Sequence, residues 1–234
     1  MATAPIPDLS PPPLAHFLRE AGEVLLWPLT HISLPPSRTG QEGEGRPVLV
    51  IPGFLASDAS TNLFRRSLEA AGYRAHGWNM GRNMGARPET LVKLKARVDR
   101  IARRAGRPVI LIGWSLGGLF ARELAKLVPD RIDRVITLGS PFSGDRRANN
   151  VWRLYEWLND HRVDDPPLDV DPGEKPPVPT IAFWSQKDGI VAPGCARGEP
   201  GQCDRAVELD CTHMGFVAEA EALNAVLDAM IEKT

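Results

Sequence analysis

Ser115 stands at the centre of Gly113-Trp114-Ser115-Leu116-Gly117, with the apolar run Ile110-Leu111-Ile112 before it and the periodic residues Leu119, Phe120, Leu124 and Leu127 after it. A strand-to-helix turn tight enough to present a serine hydroxyl at its apex leaves no room for side chains two positions either side, which is where the glycines fall. Ser115 is therefore the candidate nucleophile. A hydroxyl attacks only when a base takes its proton, and the base must be oriented by a carboxylate. Two later segments supply these groups in the order acid, then base: Trp184-Ser185-Gln186-Lys187-Asp188-Gly189-Ile190-Val191 and Asp210-Cys211-Thr212-His213-Met214-Gly215. Each follows a run that reads as a strand, so Asp188 and His213 are expected at the carboxyl edge of a sheet, where open α/β sheets assemble their sites. Asp204, Glu208 and Asp210 are the rival acids. The other histidines, His16, His31, His76 and His161, do not follow a late strand; His76 is expected to be packed or pocket-lining, and His161 solvated. The oxyanion formed on attack needs donors. The backbone amide of Leu116 is one, and that of Phe54, in Ile51-Pro52-Gly53-Phe54-Leu55, is the other, their side chains walling the acyl site.

These groups must be held by a frame, and the pattern from Pro47 onward is one of short apolar runs alternating with longer periodic segments, the mark of a parallel sheet with crossover helices. Strands are expected over 47–51, 73–78, 108–113, 132–138, 178–184 and 205–209, and helices over 60–71, 89–105, 115–128 and 217–232. The alternation is interrupted at 141–177, where Pro, Asp and large aromatics stand in place of a crossover. That stretch reads as an inserted cap with a short helix carrying Val151, Trp152, Leu154, Tyr155, Trp157 and Leu158. Before the sheet, residues 1–46 read as a proline-rich arm, an amphipathic helix over about 14–27 docked on the body, and a linker from 35 to 46.

The chain has 234 residues with 28 Lys and Arg against 29 Asp and Glu, a formal net charge of −1. Such a balance gives no field that would steer it to nucleic acid. The longest early apolar stretch, 24–29, follows acidic residues and is too short for a secretory leader or a membrane span, so a cytoplasmic location is expected. The N-terminal helix, with only Arg19 as a cation on its polar face, is a poor surface-binding helix. Cys195, Cys203 and Cys211 are too few for a disulfide framework; a bridge between Cys195 and Cys203 is left open by the Gly and Pro between them, and no metal site is expected. The glycine-bearing loop 77–85 lacks both phosphate-binding patterns. It is expected to rim the site, with Arg82 and Asn83 holding the loop in preference to meeting a headgroup.

Five segments together resemble the α/β-hydrolase superfamily, in its small bacterial serine esterase and lipase form: Ile-Pro-Gly-Phe at 51–54, Gly-Trp-Ser-Leu-Gly-Gly at 113–118, Leu138-Gly139-Ser140-Pro141-Phe142, Ser185-x-x-Asp188-Gly-Ile-Val, and Thr-His-Met-Gly-Phe at 212–216. The likeness extends from Pro47 to Thr234. It implies an α/β-hydrolase domain over 47–234, with Ser115, His213 and Asp188 as catalytic residues and the Phe54 and Leu116 amides as oxyanion hole, and no cofactor. Two departures stand out. Pro52-Gly53 takes the place of a His-Gly pair common in such lipases, and the two strands that open the full sheet are missing, which leaves about six, mostly parallel. Trp114, Phe142, Trp152, Tyr155, Ile190 and Met214 are the expected substrate contacts. An apolar cleft of this kind suits a hydrophobic small-molecule ester. Three activities remain open: ester hydrolysis first, acyl transfer to an alcohol in the same site, and a hydrolase-like binding protein without chemistry. Oligomeric state is also left open.

Overall fold

In the computed structural model the described residues are 10–30, 42–167 and 171–231, without the side chains of 24–30. Residues 1–9 of the expected arm, His31, and 35–41 of the expected linker lie outside them. Six parallel strands, β1 (Pro47–Ile51), β2 (Arg74–Gly77), β3 (Val109–Trp114), β4 (Ile132–Leu138), β5 (Thr180–Trp184) and β6 (Arg205–Glu208), form one sheet in the order β2-β1-β3-β4-β5-β6. All residues of β1, β3 and β5 are buried, which is why their sequences are continuous apolar runs rather than alternating ones.

Alternate residues of these strands feed two cores. Val48, Val50, Ile110 and Ile112 pack on α2 (Asn62–Ala70) and α7 (Ala220–Ile231), while Leu49, Ile51, Val109 and Leu111 pack on α3 (Pro88–Ala105) and α4 (Leu116–Leu127). Helix α3 opens on Pro88 and stops at Gly106, whose φ of 67° suits a residue without a Cβ. The chain leaves β1 for β2 on one side and returns to β3 on the other. The carboxyl ends of β1 and β3 therefore flank the switch point, the place where such sheets open a crevice.

The N-terminal helix α1 spans Leu14–Thr30, so it continues beyond 27 and through Pro28. The expected helix over 217–232 begins instead at Ala220, after a short 3₁₀ turn at Gly215–Val217. Within the insertion lies α5 (Trp152–Leu158). One helix was not expected: α6 (Pro193–Arg197) runs through Cys195 into the Gly- and Pro-bearing stretch that leads to Cys203, with proline at its first turn. All three cysteines are free thiols. Among the described residues no helix is long and apolar enough to cross a membrane.

Candidate active site

Ser115 joins β3 to α4 with φ 54° and ψ −124°, a conformation that non-glycine residues rarely adopt. The turn is locked from both sides. Its amide donates to Leu138 O at 2.8 Å, and its carbonyl accepts from Gly118 N at 2.9 Å. A Cβ on Gly113 would strike the Gly117 and Gly118 backbone, and one on Gly117 would strike the carbonyls of Ile51 and Pro52. The loop after β1 passes just over the hydroxyl: a Cβ on Gly53 would lie 3.0 Å from Ser115 Cβ and 3.6 Å from its Oγ.

Asp188 and His213 come from the loops that follow β5 and β6. His213 Nδ1 donates to Asp188 Oδ2 at 2.8 Å, while Asp188 Oδ1 accepts from the amides of Ile190 and Val191, each at 2.8 Å. Because an ionised carboxylate only accepts, the proton sits on Nδ1 and Nε2 is left with its lone pair. Burial is the largest influence on His213 and opposes its charged form, but the Asp188 charge and hydrogen bond, with Glu20, outweigh it and raise its pKa above the ordinary 6.5. Trp114, immediately before Ser115, donates its indole N–H to His213 O at 3.0 Å, and the two rings lie 5.7 Å apart. The structure thus brings Ser115, Asp188 and His213 to one end of the sheet. Ser185 ties the two loops: its hydroxyl donates to Cys211 O at 2.6 Å and accepts from Lys187 N at 3.0 Å.

The Leu116 amide is the first of α4 and has no acceptor within its own helix. Among the described residues the Phe54 amide also has no partner, whereas its neighbours are engaged: Leu55 N donates to Asn83 O at 2.7 Å and Ala56 N to Gly53 O at 3.1 Å. Asn83, fully buried, sets this loop. Its side-chain NH₂ donates to Pro52 O at 2.8 Å, its own amide donates to Ala56 O at 2.8 Å, and its side-chain oxygen accepts from Gly85 N at 3.2 Å. Arg82 donates to Leu55 O at 2.7 Å. Both residues hold the loop.

An apolar cavity opens from Ser115 along α4, past Leu116, Leu119 and Phe120, roofed by Val151, Trp152 and Tyr155 and closed by Phe54. Trp152 and Tyr155 are thus on its wall. Trp114, Phe142, Ile190 and Met214 do not line it: Trp114 packs on His213, Phe142 lies 4.1 Å beneath the Arg122 guanidinium, Ile190 packs with Val191 and Ala192, and Met214 packs on the core. His161 is partly buried rather than freely solvated, and its Nε2 lies 2.9 Å from Tyr155 Oη. His76 is half-buried on the edge strand β2, away from the cavity.

Two residues of the site are absent from the sequence reading. Arg122, fully buried on α4, donates to the carbonyls of Pro172, Gly173, Glu174 and Gln202 and so anchors the cap. Glu20, on α1, accepts from the amides of Gly189, His213 and Met214. Nothing in a single sequence separates such buried charges from solvated ones on the polar face of a helix. Among the described residues no cluster of three or more His, Cys, Asp or Glu side chains is placed to hold a metal.

A family model described as alpha/beta hydrolase fold matches residues 46–171, more than half of the chain. Two similar curated proteins are the pimeloyl-[acyl-carrier protein] methyl ester esterases of Aliivibrio salmonicida, 29% identical over 117 residues, and Nitrosospira multiformis, 28% identical over 121 residues. The matches take in 48% and 49% of this chain but only 42% and 46% of those relatives' own length. Among solved structures, Aspergillus fumigatus lipase B aligns at a TM-score of 0.61 with 17% identity, over 86% of this chain and 56% of that one. The monoacylglycerol lipase of Paleococcus ferrophilus aligns at 0.56 with 16% identity, over 80% and 96%. At such identities these two show a shared fold and nothing finer.

Proposed function

Since the chain belongs to the α/β-hydrolase fold family, we propose that it is a carboxylesterase or lipase that cleaves its ester through an acyl-enzyme on Ser115, His213 and Asp188. The observation that carries this reading is the 2.8 Å bond from His213 Nδ1 to the buried Asp188, beside a serine held at a φ of 54°. The esterase names of the curated relatives point to the same bond class. Ser115 Oγ attacks the ester carbonyl as His213 Nε2 takes its proton. Asp188 keeps the imidazole in the right tautomer and faces the imidazolium that forms. The amides of Phe54 and Leu116 receive the oxyanion. Collapse of the tetrahedral intermediate expels the alcohol, protonated by His213, and leaves an ester on Ser115. Water, deprotonated by His213, then attacks that ester and releases the acid. The apolar wall from Leu119 to Tyr155 favours a hydrophobic acyl group.

Chromogenic esters with acyl chains of two to sixteen carbons test this directly, comparing wild type with Ser115→Ala. The variant is expected to lose about 10⁴-fold or more in kcat, and the chain-length optimum separates a short-chain esterase from a lipase. A Ser115→Ala protein that turns over at the wild-type rate would overturn the mechanism. Absence of turnover by either protein would move the reading to acyl transfer onto an alcohol.

A further inference from the structure

Glu20 lies 169 positions before Gly189 and 193 before His213, yet its side chain bridges the two loops. Its Oε1 accepts from Gly189 N at 3.1 Å and from His213 N at 2.5 Å, and its Oε2 accepts from Met214 N at 3.2 Å. These are the amides of the residue after Asp188, of His213 itself, and of the residue after it. Glu20 is 1% exposed. A buried carboxylate is costly unless charge-assisted hydrogen bonds compensate it, and three amide donors do so here. Other residues of α1, and Pro12 just before it, are fastened nearby. Arg19 donates to Lys187 O at 2.6 Å, Thr212 Oγ1 donates to Glu23 at 2.7 Å, and Asn150 bridges Pro12 O and Gly189 O at 3.1 and 2.8 Å. A Cβ on Gly189 would meet the His16 carbonyl at 2.5 Å, so the helix rests directly on the turn that carries Asp188.

An apolar side chain would suffice to dock a helix. A carboxylate that collects amides from both loops does more, because it sets their separation and places a negative charge against the group that becomes cationic. We propose that Glu20 is a positioning residue for the reaction, holding the Asp188 and His213 loops in register and favouring the imidazolium as Ser115 gives up its proton. This rests on the serine-hydrolase reading above. In support, Glu20 is among the groups that raise His213; burial leaves Glu20's own pKa above its ordinary value, and the His213 charge with the His213 and Gly189 amides pull against that rise. The other ionisable groups facing the cluster are His16, Arg19 and Glu23 from α1, Lys187 and Asp188 after β5, Asp210 and Cys211 after β6, and Glu219 before α7. Glu20→Gln changes the charge of none of them.

The test is the rate at which a fluorophosphonate labels Ser115 as a function of pH, in wild type, Glu20→Gln and Glu23→Gln, with ester kinetics alongside. Glutamine keeps the volume of Glu20 but turns an NH₂ toward amide donors and removes the charge. Labelling and kcat are expected to slow about 10- to 100-fold in Glu20→Gln. KM should stay within about twofold while the acid limb moves to lower pH, as follows when a carboxylate is taken from an imidazolium. Glu23→Gln is expected to remain within about threefold of wild type. A Glu20→Gln protein with wild-type rates and an unmoved acid limb overturns the proposal and leaves the serine-hydrolase reading standing. A wild-type protein that is never labelled overturns both. Should Glu20→Gln fail to fold, amide exchange in the wild-type protein decides: Gly189, His213 and Met214 are expected to be protected together, and exchange of any one at the rate of an exposed loop overturns the clamp.

Discussion

The sheet side of the cleft holds Ser115, Asp188 and His213 at 9%, 1% and 4% exposure, whereas the cap side carries Trp157 at 79% and Leu154 at 41%. On the sheet side the loop amides are taken up by buried side chains, Asp188, Glu20 and Asn83 among them. On the cap side α5 buries one residue, Tyr155, whose hydroxyl accepts from Ala86 N across the cleft, and the segment after it is held by side chains such as those of Glu156 and Arg122. The difference separates two tasks. Groups that stabilise a transition state must be preorganised before substrate arrives, since reorienting them during reaction would consume the stabilisation they offer. A wall that meets an acyl chain needs only shape and apolarity, and a thin layer supplies both.

The sharpest break in this comparison is Asp188→Asn. The Oδ1 acceptor that binds Ile190 N and Val191 N is retained in the amide, so the loop keeps its form, but His213 Nδ1 loses the carboxylate that fixes its tautomer. A fall in kcat of about 10⁴-fold is expected with little change in thermal stability. A silent Asp188→Asn, with turnover lost instead in Asp210→Asn, would transfer the acid's role. The same pair sets the pH response. His213 must be neutral to act as base, and its pKa is raised above the ordinary 6.5, so activity is lost as pH falls through a value above that of a free imidazole. A rate that is flat from pH 5 to 8 would contradict a histidine base.

Asn83→Ala tests the proposed oxyanion side of the same rigid half. It removes the donor to Pro52 O and the acceptor for Gly85 N, both inside the protein, and frees the loop that carries the Phe54 amide. A loss of about 10²-fold in kcat is expected, the scale of one misplaced oxyanion donor, with KM moved far less. If kcat is unchanged and only KM rises, the loop's task is to shape the pocket.

What the sequence discloses follows the same division. The strands are legible because a strand buried on both faces must be apolar throughout, as β1 and β3 are, and Gly113 and Gly117 are legible because a serine elbow tolerates nothing larger. The sheet edges carrying Asp188 and His213 follow from strand order alone. Glu20 is hidden, because a glutamate on the polar face of an amphipathic helix carries the pattern of a solvated one; only the docking of α1 reveals the amides it meets. Phe142, Ile190 and Met214 read as pocket residues, but Phe142 lies in the irregular insertion and Ile190 and Met214 in the loops after β5 and β6, where periodicity does not encode which way a side chain points. Helix α6 is five residues beginning Pro-Gly, too short to leave a periodic signature beside its turn-like composition.

Tyr155→Phe should produce the smallest of these effects, and it separates the two halves most cleanly. The Tyr155 hydroxyl accepts from Ala86 N at 3.0 Å and lies 2.9 Å from His161 Nε2, while its ring stands 5.0 Å from that of Phe54. Phenylalanine keeps the ring on the cavity wall and deletes only the bond that moors the cap to the loop at Ala86 and the contact with His161 inside the cap. The buried Ala86 N–H left without an acceptor costs about 1–2 kcal/mol, and the expense falls on the cap because nothing in the Ser115–His213–Asp188 arrangement touches that hydroxyl. KM for long-chain esters is therefore expected to rise a few-fold with kcat within about twofold and the pH profile unmoved. A large fall in kcat for Tyr155→Phe would show that the cap is part of the reacting assembly, through the Phe54 ring and the amide behind it, and the division into a rigid chemical half and an adaptable binding half would have to be redrawn at Phe54.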